Sequence, residues 1–129
     1  MSKVAFAPML YIKSGVKDIS FYEKAFGAIE LKRWTNDDNS IHVAEFSIDG
    51  ALFHLHEENA QKKQFNPADV NDGITTMIGL FVDDVHAFMS RAIAAGATVI
   101  NPTTDHDHEY RQGELKDPFG HHWQIQKKL

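Results

Sequence analysis

The sequence predicts an α+β fold in which a strand–helix–strand–strand–strand unit occurs twice. Short apolar runs at 8–12 and 77–82 are each followed by apolar residues at helical spacing and by a Gly-Ala pair. Those pairs, at Gly27 and Gly96, lie about 70 positions apart, as do the similar segments 49–55 and 119–125. We therefore expect a single domain over residues 1–129, with unit 1 at about 4–57, a polar linker at about 58–73 and unit 2 at about 74–128.

Each element of unit 1 has a local signal. The first strand is followed by apolar residues at roughly helical spacing up to Phe26, and Ser14 is a candidate N-cap for this helix. Gly27 suits the left-handed residue that follows a helix. Asp49-Gly50 predicts a tight hairpin between two strands. The other strands are expected at 29–34, at 42–48 and around Phe53.

Unit 2 repeats this order. Apolar residues recur from Val85 at i, i+3, i+4, i+7 and i+8, which predicts a helix with Asp83 or Asp84 as N-cap and Gly96 past its end. Asp-Pro-Phe-Gly at 117–120 predicts a second turn, because proline fixes φ. Further strands are expected at 98–100, at 110–116 and around Trp123.

The composition excludes several classes of function. The chain has no cysteine, so disulfides, thiolate metal sites and cysteine nucleophiles are ruled out. Its 13 basic and 18 acidic residues give a net charge of −5, which argues against a nucleic-acid partner or a polybasic membrane surface. We find neither a signal peptide nor a run of about 18 apolar residues, so we expect a cytoplasmic protein without a membrane partner.

Five segments resemble the vicinal oxygen chelate superfamily, and its PhnB-like branch most of all. They are YI at 11–12, FYEKAFGA at 21–28, VDDV at 82–85, AGA at 95–97 and DPFGH at 117–121. The superfamily includes glyoxalase I, fosfomycin-resistance transferases, extradiol dioxygenases and bleomycin-resistance proteins. The resemblance implies two βαβββ units that form a curled mixed sheet around a cavity, and it implies a homodimer. It does not imply one activity, because one fold hosts many chemistries.

The metal positions that the resemblance implies fall on Ala7, His54, Met77 and Gln124. Only His54 is a good ligand, whereas a catalytic metal site needs about three strong nitrogen or oxygen ligands. We therefore predict no metal and no other cofactor. A rebuilt histidine site is the alternative, with His54, His56, His122 and Glu45 as candidates.

Strand alternation then assigns the faces of the sheets. Trp123 and Ile125 are expected under a helix, which turns His122 and Gln124 toward the cavity. Arg111 could clamp an anionic ligand or pair with Glu45 or Glu114. The residues expected to bind a ligand are Tyr11, Trp34, His54, Met77, Phe81, Arg111, His122 and Gln124, and Tyr110 could join the aromatic ones.

The other histidines receive structural interpretations. Asp-His-Asp-His-Glu at 105–109 is interpreted as a solvated loop, although short His-rich tracts can bind metals. His42, His86 and His121 are interpreted as surface or hydrogen-bonded residues.

The sequence leaves three hypotheses for function. The first is metal-independent binding of a small aromatic or anionic molecule in the cavity. The second is a glyoxalase-type lyase, isomerase or transferase with a rebuilt metal site, for which His54 is the best catalytic candidate. The third is a dimer whose partner is another protein. Whether the protein is an enzyme stays open, as does the question of whether one chain or two chains form each cavity.

Overall fold

The computed structural model describes residues 3–69 and 73–129. Residues 1–2, and residues 70–72 of the predicted linker, lie outside the described residues. Within the described ranges, eight strands and two helices follow one another in two βαβββ units. Unit 1 contains β1 Met9–Ile12, α1 Phe21–Phe26, β2 Ile29–Thr35, β3 Ile41–Ile48 and β4 Ala51–Glu57. Unit 2 contains β5 Met77–Phe81, α2 Val85–Ala94, β6 Thr98–Asp105, β7 Tyr110–Lys116 and β8 His122–Lys128.

Each unit forms a four-stranded mixed sheet. The strand orders are β1-β4-β3-β2 and β5-β8-β7-β6, so β1 and β5 lie at the edges of their sheets. The first strand of each unit runs parallel to the last, and the other pairs are antiparallel. This arrangement confirms the predicted α+β fold with a repeated βαβββ unit.

The helix ends agree only in part with the sequence expectations. Ser20, not Ser14, is the N-cap of α1, because Asp18 Oδ1 accepts hydrogen bonds from the Ser20 backbone N–H and hydroxyl and fixes the start of the helix there. Gly27 takes the predicted left-handed conformation, with φ 65°. In unit 2, the Asp84 carboxylate accepts a hydrogen bond from a backbone N–H of the first helical turn, as predicted for the N-cap.

Two other segments differ from the predicted elements. β6 continues to Asp105 instead of ending near Ile100, because register shifts let it stay paired with β7 along its length. The predicted loop at 105–109 therefore begins one residue later, after Asp105. The linker also contains two 3₁₀ turns, at Ala60–Lys62 and Pro67–Asp69.

The core lies on the helix side of both sheets. Trp123 and Ile125 of β8 and Phe53 and Leu55 of β4 are buried, which confirms the predicted alternation of these strands. Tyr22 of α1 packs against aromatic rings of both units, including Phe53 and Trp123. The buried side chains form one cluster, so the two units share a single hydrophobic core.

A buried carboxylate joins the two units. Asp117 Oδ2 accepts hydrogen bonds from the Tyr22 hydroxyl at 2.5 Å and from Trp123 Nε1 at 2.9 Å. Its Oδ1 accepts from the backbone N–H groups of Phe119 and His121. Burial, and then the charge of Asp117, raises the pKa of Tyr22 well above its ordinary value, so the hydroxyl stays protonated and can donate. Four donors compensate for burying this carboxylate.

The backbone carbonyl of Tyr11 is a second point of attachment between the two units, and we call it and Asp117 the buried joints. It accepts a hydrogen bond from Asn66 Nδ2 at 2.9 Å and one from His121 Nε2 at 2.7 Å. Asn66 Nδ2 also donates to the Phe119 carbonyl, at 2.7 Å. Asn66 is itself buried. The linker is thus fixed to β1 on one side and to the 117–120 turn on the other, and these contacts set the relative position of β1 and unit 2.

Candidate ligand cavity

A cavity of about 950 Å³ lies between the edge strands β1 and β5 of the same chain. Its walls come from the segment before β1, the β3–β4 turn, the linker and the edges of both sheets. The large apolar side chains in these walls belong to Phe6, Met9, Leu10, Ile48, Leu52, Phe53, Phe65, Ile74, Met77, Ile78, Leu80 and Trp123. The structure therefore places walls from both units of one chain around this cavity.

The described part of the lining is uncharged. None of the lining residues in the described chain is Lys, Arg, Asp or Glu. The polar side chains in the walls are the hydroxyls of Tyr11, Thr75 and Thr76 and the imidazole of His121. A ligand in this cavity would meet apolar surface with a few hydrogen-bonding groups, which is the usual character of a small-molecule site.

Two of the residues expected from the sequence, Tyr11 and Met77, line this cavity. His54 and His122 lie on β4 and β8, the strands next to the edge strands β1 and β5. Met9 of β1 pairs with His54 of β4, and Met77 of β5 pairs with His122 of β8. His54 and His122 thus stand beside the cavity on the solvent-side faces of the two sheets, which we call the open faces.

On the open face of sheet β5-β8-β7-β6, His122 belongs to a hydrogen-bonded chain. Its Nδ1 lies 2.7 Å from Glu114 Oε2, and Asn101 Nδ2 donates to Glu114 Oε1 at 2.9 Å. An ionised carboxylate only accepts, so Nδ1 carries the shared hydrogen. His122 therefore bonds across its own sheet, to the neighbouring strand β7. Gln124 lies on the same face, beside this pair.

The open face of the other sheet carries a looser set. His54 Nε2 lies 3.9 Å from Glu45 Oε2, beyond hydrogen-bond distance. Trp34 stands on β2, with Lys32 Nζ 4.7 Å from the centre of its ring. His56 packs against Tyr11, with ring centres 5.7 Å apart. These side chains share a face but do not converge on one point.

Arg111 lies elsewhere. It is not one of the residues that line the cavity, and it alternates along β7 with Gly113 and with the fully buried Leu115. Its guanidinium binds Asp105 with two hydrogen bonds, at 2.7 and 3.1 Å. The expected partners Glu45 and Glu114 are wrong, because the β6–β7 register places Asp105 directly opposite Arg111. This pair holds the pKa of Asp105 below its usual value.

Phe81 and the hairpin histidines form an aromatic row away from the cavity. The ring of Phe81 lies 6.3 Å from that of Tyr110, which stacks on His108 at 5.3 Å. His108 stacks in turn on His106 at 5.2 Å. The two histidines are exposed, in agreement with the predicted solvated loop. His42 bonds to Glu57, and His121 bonds to the Tyr11 carbonyl, in agreement with their structural interpretations.

The metal site of the superfamily does not fit these residues. Ala7, which precedes β1, has no donor atom, Met77 offers a thioether and Gln124 an amide, so His54 is the single strong ligand of the set. In residues 3–69 and 73–129, no three His, Asp or Glu side chains come close enough to hold a metal ion. The rebuilt site around His54, His56 and His122 is not assembled here.

Sequence reasoning missed the linker as a wall of the cavity. Phe65 lies in the segment that the sequence predicts as a polar linker, yet it lines the cavity, as does Ile74 at the start of unit 2. A large apolar residue in an otherwise polar segment is a usable signal that the segment packs against another part of the chain. His121 also lines the cavity, although the sequence analysis interprets it only as a surface or hydrogen-bonded residue.

Comparisons with known proteins agree with this architecture. A family model of the Glyoxalase/Bleomycin resistance protein/Dioxygenase superfamily matches residues 8–125. The chain belongs to this superfamily. An uncharacterised protein of Mycobacterium bovis is 36% identical over 124 residues, which cover 94% of this chain and 81% of that protein.

Solved structures share the fold at low identity. TioX from Micromonospora sp. ML1 superposes with a TM-score of 0.69 and 21% identity, over 97% of this chain and 100% of that one. The fosfomycin resistance protein FosX from Listeria monocytogenes gives 0.71 and 17%, over 100% and 96%. Among the described residues, no helix is long and apolar enough to cross a membrane.

Proposed function

We propose that this chain is a metal-independent binding protein for a small, uncharged aromatic molecule, held in the cavity between β1 and β5. The observation that carries the proposal is an apolar cavity without a charged side chain in its described walls. Its volume of about 950 Å³ lies in the range of sites for drug-sized ligands. The large apolar side chains would bury such a ligand, and burial of apolar area is the main source of its affinity.

The lining favours the uncharged ligand over the anionic one. A carboxylate moved from water into this cavity would lose its hydration, and no lysine or arginine of the described walls would replace it. Arg111, the residue expected to clamp an anion, is engaged by Asp105 and does not line the cavity. The donor set at the metal positions supports binding without a metal.

We extend the proposal to the branch of the superfamily, the oligomeric state and the cellular location of the protein. The five resembling segments favour the PhnB-like branch and a homodimer, and a cytoplasmic location is part of the same proposal. The apolar side chains on the edge strands β2 and β6 support the dimer, since Ile29, Leu31, Val99 and Ile100 are all exposed in the single chain. Sedimentation velocity should give a dimer mass, and Leu31→Lys should shift it toward the monomer; a monomer in the unchanged protein would contradict this part.

Isothermal titration calorimetry with two probes of similar size tests the binding function. We expect 1-naphthol to bind with one site per chain and 1-naphthoate to bind at least about tenfold more weakly, since its carboxylate would be desolvated without a counter-charge. Absence of binding by either probe, or tighter binding of the anion, would overturn the proposal. Thermal unfolding with each probe provides an independent readout, because a ligand of the native state raises the melting temperature.

A further inference from the structure

The imidazole of His121 differs from the other polar groups of the cavity because one of its nitrogens is committed. Its Nε2 lies 2.7 Å from the Tyr11 carbonyl oxygen, which can only accept, so Nε2 must carry hydrogen. The backbone N–H of His121 is also engaged, by Asp117 Oδ1 at 3.0 Å. The residue is therefore held at both its backbone and its ring.

The second ring nitrogen is available. In a neutral imidazole with hydrogen on Nε2, Nδ1 is an acceptor. Within the described chain Nδ1 makes no hydrogen bond, and no buried side-chain nitrogen or oxygen there lacks a partner, so Nδ1 must reach solvent. His121 is one of the residues that line the cavity.

The Tyr11 carbonyl keeps the ring in this orientation. That oxygen also accepts from Asn66 Nδ2, so both of its lone pairs are used, and Asn66 is buried. If the His121 ring rotated so that Nδ1 could donate elsewhere, the hydrogen bond between Nε2 and the Tyr11 carbonyl oxygen would be lost.

We propose that His121 Nδ1 is the polar recognition group of the cavity, and that the ligand is an aromatic molecule with a hydrogen-bond donor such as a phenolic hydroxyl. This inference rests on the proposed binding function and narrows its ligand class. The Tyr11, Thr75 and Thr76 hydroxyls both donate and accept, so they give no preference for a donor over an acceptor. His121 in this tautomer only accepts.

The test compares 1-naphthol with 1-methylnaphthalene, which has a similar shape but no donor. We expect the unchanged protein to bind 1-naphthol roughly fivefold more tightly, which corresponds to one ordinary hydrogen bond. His121→Phe should remove the preference while both probes still bind. The adjacent His122→Phe is the matched control and should keep it, because His122 points to Glu114 on the open face.

A second measurement needs no variant, in case His121→Phe disturbs the joint with Tyr11. The ¹⁵N resonance of His121 Nδ1 in the unchanged protein should shift on addition of 1-naphthol and stay in place with 1-methylnaphthalene. Equal affinity for the two probes, a preference that survives in a folded His121→Phe protein, or an unmoved Nδ1 resonance would overturn the role of His121 and leave the binding function intact. If neither probe binds, the binding function itself fails.

Discussion

The cavity and the open faces of the sheets lie side by side but differ in chemistry. Met77 in the cavity wall and His122 on the open face are paired residues of neighbouring strands. The wall is apolar and carries no described charge, whereas His122 bonds to Glu114 and His54 lies near Glu45. His54 and His122 therefore lie near cross-strand glutamates and not in the lining of the cavity that we propose as the site.

The cavity and the open faces differ because their residues are brought together in different ways. The His–Glu pairs follow from local antiparallel register between adjacent strands. The cavity needs strands and a linker that are distant in sequence, held together by Asp117 and by the Tyr11 carbonyl. Changes to these joints should damage the cavity first, and changes to the pairs should leave it intact.

The largest effect is expected at the buried joint. Asp117→Ala leaves the Tyr22 hydroxyl, Trp123 Nε1 and two backbone N–H groups without their acceptor. We expect the free energy of unfolding to fall by roughly 3–5 kcal/mol, and 1-naphthol binding to be lost, in urea titrations and calorimetry. The exposed Asp107→Ala is the control and should change stability little. An Asp117→Ala protein of normal stability would show that the carboxylate does not join the units.

A smaller effect should separate the cavity from the open face along one strand. Met77→Trp places a larger ring in the cavity wall and should weaken 1-naphthol binding at least about tenfold, a loss of about 1.4 kcal/mol. Phe81→Trp, four positions along β5 and 67% exposed, should leave the affinity within about twofold. If calorimetry showed a larger loss of 1-naphthol affinity for Phe81→Trp than for Met77→Trp, the ligand would have to lie on the open face.

Breaking the His122 pair should change stability but not binding. Glu114→Gln removes the charge that accepts from His122 Nδ1, in a pair whose side chains are 16% and 15% exposed. We expect a loss of about 1–2 kcal/mol in urea unfolding and an unchanged affinity for 1-naphthol. A marked loss of affinity at normal stability would make this pair part of the site.

The smallest effect is expected at Arg111. Its pair with Asp105 is at the surface, so Arg111→Ala should leave the free energy of unfolding almost unchanged in urea titrations. The affinity for 1-naphthoate should be equally weak in the unchanged protein and in Arg111→Ala, since Arg111 is not one of the residues that line the cavity. A fall in 1-naphthoate affinity in the variant would restore Arg111 as an anion clamp.

The sequence predicts most of the fold and little of the site. Alternation placed Trp123 and Ile125 in the core because burial acts strand by strand, and the glycines mark real helix ends. Two elements depart from the hydrophobic pattern. The Asp18 carboxylate holds Ser20 and fixes the start of α1, and pairing with β7 extends β6 beyond its apolar residues.

The site depends on contacts that no local pattern encodes. Tyr11 and Met77 could be assigned to the cavity from alternation along their strands. The roles of Phe65 and His121 depend on how the linker and the 117–120 turn pack on β1. The apolar Phe65 indicates that the linker packs against something, but only the folded chain shows that its partner is this cavity.

The most direct test of the central claim is an ¹H–¹⁵N correlation titration of the unchanged protein with 1-naphthol. The account predicts shift changes at the amides of cavity-wall residues, including Gly50, Thr76, Gly79 and Gly120, and little change at Glu45, Gln112 and Glu114 on the open faces. Shift changes confined to the open-face amides, with the wall residues unmoved, would contradict it.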